Sequence, residues 1–140
     1  MSEDNIALVL RTFDAFKAGG FDAMLAFFTP DVVWHPIPGW IEDAEYRGHD
    51  GTRRMSALFT DNFTDLTLEP RDVREIEGRV LVLVDSTGKS RHDGVPIEMK
   101  PAFLYWNFRD QKIGDVRFFL SWDEGVVALH ATASAGSPTG

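Results

Sequence analysis

Three stretches of this 140-residue chain carry side chains suited to moving a proton. In VVWHPIPGW (32–40) an extended run delivers His35 into a loop rich in proline and tryptophan, and histidine is the side chain whose unperturbed pKa lies closest to neutrality. The apolar run VLVLV (80–84) ends on Asp85, and EYRGHDG (45–51) presents Tyr46 just ahead of a helix. A histidine, a carboxylic acid and a phenol together point to general acid/base chemistry. Other chemistries lack their residues. There is no cysteine, which removes thiolate nucleophiles, disulfides and cysteine-based zinc sites. His35, His49, His92 and His130 do not fall at a metal-ligand spacing, so no metal and no cofactor is expected. Neither a phosphate-cradling glycine pattern nor a G-x-S-x-G elbow occurs.

Each candidate has two readings on sequence grounds. Strand alternation puts Trp34 and Pro36 on one face and His35 on the other, so His35 is either a cavity base turned inward by the prolines or a structural or interface histidine. Asp85 shares parity with Leu81 and Leu83. It is a general acid or base if the strand continues, and a solvated turn residue if the strand has ended. Tyr46 either points its hydroxyl into a cavity or packs its loop onto the following helix.

The elements that must position these groups follow from periodicity. Ser2 is a plausible N-cap, and Ile6, Val9, Leu10, Phe13 and Phe16 fall at helical spacing until Gly19–Gly20. FDAMLAFF (21–28) is expected as a short second helix, 31–36 as a strand, and Asp50 as the cap of a third helix bearing Met55, Leu58 and Phe59. The texture then turns to strands. DLTLEPRDVREIEG (65–78), with Pro70 inside it, suits an edge, and VLVLV, apolar on both faces, must be central. GKSRHDG (88–94) reads as a turn, IEMKPAFLYWNF (97–108) as one strand, and Val116, Phe118 and Leu120 as one face of the last. Ser121 and Glu124 form a capping box for a helix at about 122–131. Residues 1–131 are therefore expected as one domain and 132–140 as a disordered tail. Helices first and hairpins after give an α+β layout, with a bent, mostly antiparallel sheet wrapped around the helices.

Composition narrows the partners. A formal net charge of −8 argues against nucleic acid. The longest apolar runs fall far short of a membrane span, and the acidic start lacks a signal-peptide layout, so a soluble, cytoplasmic protein is expected. Eleven Phe and four Trp in so short a chain suggest an aromatic core or an aromatic-lined pocket.

The series AGGFD, FTPDVVWH, EYRGHDG and WNFRDQKI, in this order, resembles the SnoaL-like polyketide cyclases of the nuclear transport factor 2-like superfamily, related to steroid Δ-isomerases and limonene-type epoxide hydrolases. The resemblance implies a cone-shaped fold open at one end, an apolar ligand of small hydrophobic or polycyclic type, and a homodimer. It also implies where polar groups would stand. Many relatives follow W-H with Asp or Asn, the isomerase base; here that residue is Pro36. The isomerase tyrosine of helix 1 corresponds to Phe13, and its second donor to Leu104. The epoxide-hydrolase acid of the last strand corresponds to Phe118, and its Arg-x-Asp pair to Leu83 and Asp85. Of these positions only Asp85 keeps a titratable group, which disfavours a literal isomerase or epoxide-hydrolase mechanism. The same resemblance places Phe13, Trp34, Leu104, Trp106 and Phe118 around the cavity, with Trp40 at its rim, and leaves Asp85, His35 and Tyr46 as candidate catalytic groups. Phe103, Tyr105 and Phe119, on the opposite parity, are then expected on an outer face that a second copy covers. A non-catalytic binding module on the same scaffold is the alternative to an enzyme, with a protein-interaction domain a third.

Overall fold

The computed structural model describes residues 2–35 and 45–134. Helix α1 (Ser2–Met24) lays Leu8, Val9 and Phe13 into the core, breaks at Gly20 (φ 74°), and passes through a 3-10 turn, Leu25–Phe27, into strand β1 (Phe28–His35). The separate helix expected over 21–28 is thus the end of α1 plus that turn, because Phe28 already pairs with Ile113 in the sheet. Strand β2 (Tyr46–Arg47) leads directly into α2 (Gly48–Asn62). Asp50 lies in the first turn of α2 and pairs with Arg53 there, while Arg47 occupies the cap position.

Strands β3 (Phe63–Ile76), β4 (Arg79–Ser90), β5 (Pro96–Met99), β6 (Ala102–Trp106) and β7 (Ile113–Phe119) follow, then helix α3 (Trp122–Ser134). The sheet is open and mixed, in the order β2-β1-β7-β6-β4-β3, with β5 extending along the second half of β4. Only β1 and β7 are parallel. β3 is an edge, as Pro70 requires, and its pairing shifts register between Pro70 and Asp72. β4 is central and runs on to Ser90, past the point where a turn is expected. Ser121 Oγ accepts from the Glu124 backbone N–H at 3.2 Å, so the capping pattern starts α3 as the sequence indicates. α3 continues to Ser134, into the segment read as a tail; 135–140 lie outside the described residues.

Alternation divides the sheet into two apolar faces. Val80, Val82 and Val84 of β4, Tyr105 of β6 and Val116 of β7 are fully buried with α1 and α2 on the inner face. Burying each aliphatic side chain of this set contributes about 1.5–3 kcal/mol. Leu81, Ala102, Leu104 and Leu129 form a second cluster on the outer face under α3. A Cβ on Gly125 would lie 2.9 Å from Leu81 Cδ1 and 3.0 Å from Ala102 Cβ, so the missing side chain is what lets α3 sit this close.

The strand expected over 97–108 is two strands. Pro101 supplies no N–H to the ladder, and the pairing of β4 passes from Ser86–Met99 to Leu83–Ala102 across that gap. The parity of β6 is also the reverse of expectation. Phe103 pairs with Phe118, their rings 4.7 Å apart, and Tyr105 pairs with Val116, all toward the helices. The exposed aromatic row proposed to hold a second copy therefore does not exist, since two of its members, Phe103 and Tyr105, belong to the inner core.

Candidate ligand cavity

A cavity of about 270 Å³ lies between the inner face of the sheet and the helices. Phe21 and Met24, after the break in α1, form one side, and Met55, Leu58 and Phe59 of α2 form another. The sheet contributes Trp34, Leu66, Leu68, Phe103 and Phe118, and Met99 and Leu120 stand at the border, both with substantial exposed surface. Polar side chains are few: His35, Tyr46, Ser86 and Lys100. No aspartate or glutamate is among the described residues that line it.

Trp34 is the best-anchored wall residue. It is 2% exposed, packs between Phe28 (centroids 5.1 Å apart) and Phe118 (5.4 Å), and its Nε1–H donates to Thr52 Oγ1 at 2.8 Å. Thr52 in turn donates to the Gly48 carbonyl at 2.9 Å, so a buried indole N–H is satisfied by the first turn of α2. That turn also positions Tyr46. A Cβ on Gly51 would come within 2.8 Å of the Tyr46 carbonyl carbon, and this close approach presses Tyr46, 6% exposed, against the cavity.

His35 borders the cavity at the end of β1, yet its ring belongs to the outer face. It stacks on Trp106 (5.2 Å, 22° between planes), and its Nε2 is 2.9 Å from Asp115 Oδ1. Asn107 Nδ2 donates to the other oxygen of Asp115 at 3.0 Å. Nδ1 lies 3.1 Å from Glu45 Oε2 but without hydrogen-bond alignment. Both ring nitrogens thus lie against carboxylates.

The remaining candidates separate clearly. Phe118 lines the cavity together with Trp34 and Tyr46. Phe13 does not: it is buried behind the wall, its ring stacked on Phe103 at 6.3 Å. Leu104 and Trp106 are corrected to the outer face, under α3 and beside His35, because β6 places Phe103 and Tyr105 inward. Asp85 is likewise off the cavity. It shares the outer parity of Leu81 and Leu83, is a quarter exposed, and forms an ion pair with Arg71 of β3; its neighbour Ser86 is the one that faces in. Trp40 and Pro36 lie outside the described residues.

Sequence reasoning missed Leu66, Leu68, Ser86, Met99 and Lys100. The alternation in LTLEP was a usable signal for Leu66 and Leu68; nothing local marks the others. Tyr105 was also missed as an internal polar group. It is fully buried at the base of the inner face, beside Phe103, and hydrogen-bonded to Thr12, whose hydroxyl donates to the Val9 carbonyl at 2.6 Å. Burial pushes the Tyr105 phenol well above its usual value, with the Thr12 hydrogen bond offsetting part of that. Among the described residues no cluster of three or more His, Cys, Asp or Glu could hold a metal, and no helix is long and apolar enough to cross a membrane.

Comparison with known proteins agrees with this architecture. No curated protein matches the chain. Among solved structures, TerC, co-crystallised with polyporic acid, superposes with a TM-score of 0.73 at 20% identity, covering 90% of this chain and 97% of that one. A SnoaL-like polyketide cyclase, so described provisionally, from Jannaschia sp. CCS1 gives 0.72 at 19% identity, covering 91% and 92%. SalBIII, an epoxide hydrolase/cyclase-like enzyme of pyran ring formation in the polyether salinomycin, gives 0.72 at 15%, covering 87% and 94%. At these identities the likeness is one of fold. The sequence itself matches the SnoaL-like domain over residues 9–116, a span running from α1 through most of β7 and taking in nearly all of the cavity wall, and the chain belongs to the SnoaL-like domain family.

Proposed function

We propose that the protein binds a small hydrophobic or polycyclic molecule in the cavity between α1, α2 and the sheet. The observation that carries this reading is the lining itself: a void walled by Trp34, Phe103, Phe118, Phe59 and Leu68, with four polar side chains among the described residues around it. Apolar, aromatic walls with a few placed polar groups are the usual makeup of ligand pockets. TerC, with the same fold, was co-crystallised with polyporic acid. Asp85 cannot serve as base from the outer face, and the nitrogens of His35 are turned to Asp115 and Glu45. The geometry therefore supports binding ahead of catalysis.

The test is titration with N-phenyl-1-naphthylamine, a neutral polycyclic dye that brightens in apolar surroundings. Saturable binding at one dye per chain is expected, and Leu66→Trp, which narrows the cavity, should weaken it at least about tenfold, equivalent to 1.4 kcal/mol. Absence of saturable binding, or indifference to that substitution, would overturn the reading.

A second reading, acid/base turnover of the bound molecule, rests on one observation: Asp115 orients the ring of His35 at the cavity border, beside Tyr46. Conversion of an enolisable polycyclic ketone that is lost in both His35→Gln and Tyr46→Phe, with dye binding intact, would support it; conversion unchanged in both would remove it. The proposal includes the homodimer implied by the resemblance, now without an exposed aromatic row to motivate it. A monomer mass by light scattering at micromolar concentration would remove that part.

A further inference from the structure

Lys100 is the one ammonium group that borders the cavity among the described residues, and it is held there by the break between β5 and β6. On one side Met99 is paired with Ser86; on the other the Pro101 carbonyl accepts from Val84 N–H at 3.0 Å. The backbone of Lys100 is therefore fixed at both ends while its side chain is exposed at the border of the cavity. No acidic residue of the described lining answers it. The other lysines and arginines with marked roles are used elsewhere: Lys17 with Glu69, Arg71 with Asp85, Arg109 with Asp31. In a chain of formal net charge −8, the described residues lining the cavity include no carboxylate and place a lysine at its border, so the charge they present is opposite in sign to the whole.

We infer that the ligand is amphipathic: an aromatic or polycyclic body that fills the apolar cavity, carrying an oxyanion (a carboxylate, enolate or phenolate) that meets Lys100. This rests on the proposed small-molecule reading of the cavity and specifies the class of molecule. The body gains by leaving water. An ion pair with a fixed-backbone lysine at a half-open border adds a modest, salt-sensitive increment and fixes which end of the ligand points out. A purely hydrocarbon ligand would gain nothing from the charge.

Two dyes on one scaffold decide the matter: 8-anilinonaphthalene-1-sulfonate, which carries an anion, and N-phenyl-1-naphthylamine, which does not. The wild-type chain should bind the sulfonate dye more tightly than the neutral one, in spite of the negative net charge. Lys100→Gln should weaken the sulfonate dye roughly three- to tenfold and leave the neutral dye unchanged, Lys100→Arg should restore most of the loss, and raised salt should narrow the gap between the dyes. Lys112→Gln, which removes the same charge from the turn between β6 and β7, should change neither. The inference is overturned if Lys100→Gln leaves the ratio of the two affinities unchanged, or if Lys112→Gln lowers it equally. Failure of the neutral dye to bind at all would instead overturn the cavity reading, and this inference with it.

Discussion

Trp34→Ala should lower the unfolding free energy by about 3–5 kcal/mol, the range for deleting a large buried aromatic and leaving a cavity behind. Trp34 is 2% exposed and is the wall against which Phe28 and Phe118 pack, so neither ring can close the gap without leaving its own place. The deletion also strands Thr52, which now accepts the indole N–H. The converse change separates the two contributions. Thr52→Val keeps the volume but leaves the indole N–H without its acceptor, and should cost about 1–3 kcal/mol. Urea unfolding checks both: the midpoint should fall with the slope unchanged, and neutral-dye binding should be lost in Trp34→Ala but retained in Thr52→Val. A loss below about 1 kcal/mol for Trp34→Ala would mean that the ring is not part of a packed wall.

Alkaline pH should expose Tyr105. Its native phenol is held protonated by burial well above the ordinary value of 10.0, whereas in the unfolded chain it titrates normally. The contribution of the buried neutral phenol is therefore fully present below about pH 10 and is lost as pH rises beyond it, because the unfolded chain then releases a proton that the native chain keeps. The slope is about 1.4 kcal/mol per pH unit. Tyr105→Phe removes that proton and also the hydrogen bond with Thr12, at a cost of about 1 kcal/mol near neutrality. Wild type should accordingly be the more stable chain at pH 8. The difference should close above pH 10 and reverse within roughly one further unit. Comparing the two chains cancels the titration of the lysines and of Tyr46, which they share. A difference that stays constant from pH 8 to 11.5 would show that Tyr105 is in contact with water.

The arrangement of elements was legible in the sequence because each has its own local signature. Apolar spacing marked α1 and α2, and Ser121 and Glu124 marked the start of α3. Pro70 marked an edge, and VLVLV a strand covered on both sides. Hence the α+β class and most of the element order could be read from residue types alone, while the separate helix over 21–28 and the single strand over 97–108 were not what the chain forms. The resemblance, and not local periodicity, put Trp34 and Phe118 at the cavity, and Tyr46 was left with two readings; all three line the cavity.

What only the tertiary structure decided was which face of β4 and β6 looks inward. Strand parity is readable when one face is polar, but here α3 covers the outer face and makes it apolar as well. Ala102, Leu104 and Trp106 are then as hydrophobic as Phe103 and Tyr105, and composition cannot choose between them. The choice came from packing: Gly125 brings α3 onto Leu81 and Ala102, and that contact turns Leu104, Trp106 and Asp85 outward with them. The same step that removed Asp85 from the cavity delivered Ser86 to it, since neighbours on a strand point opposite ways. Lys100 owes its place to a proline that interrupts the ladder between the Ser86–Met99 and Leu83–Ala102 pairs, each of residues more than ten positions apart.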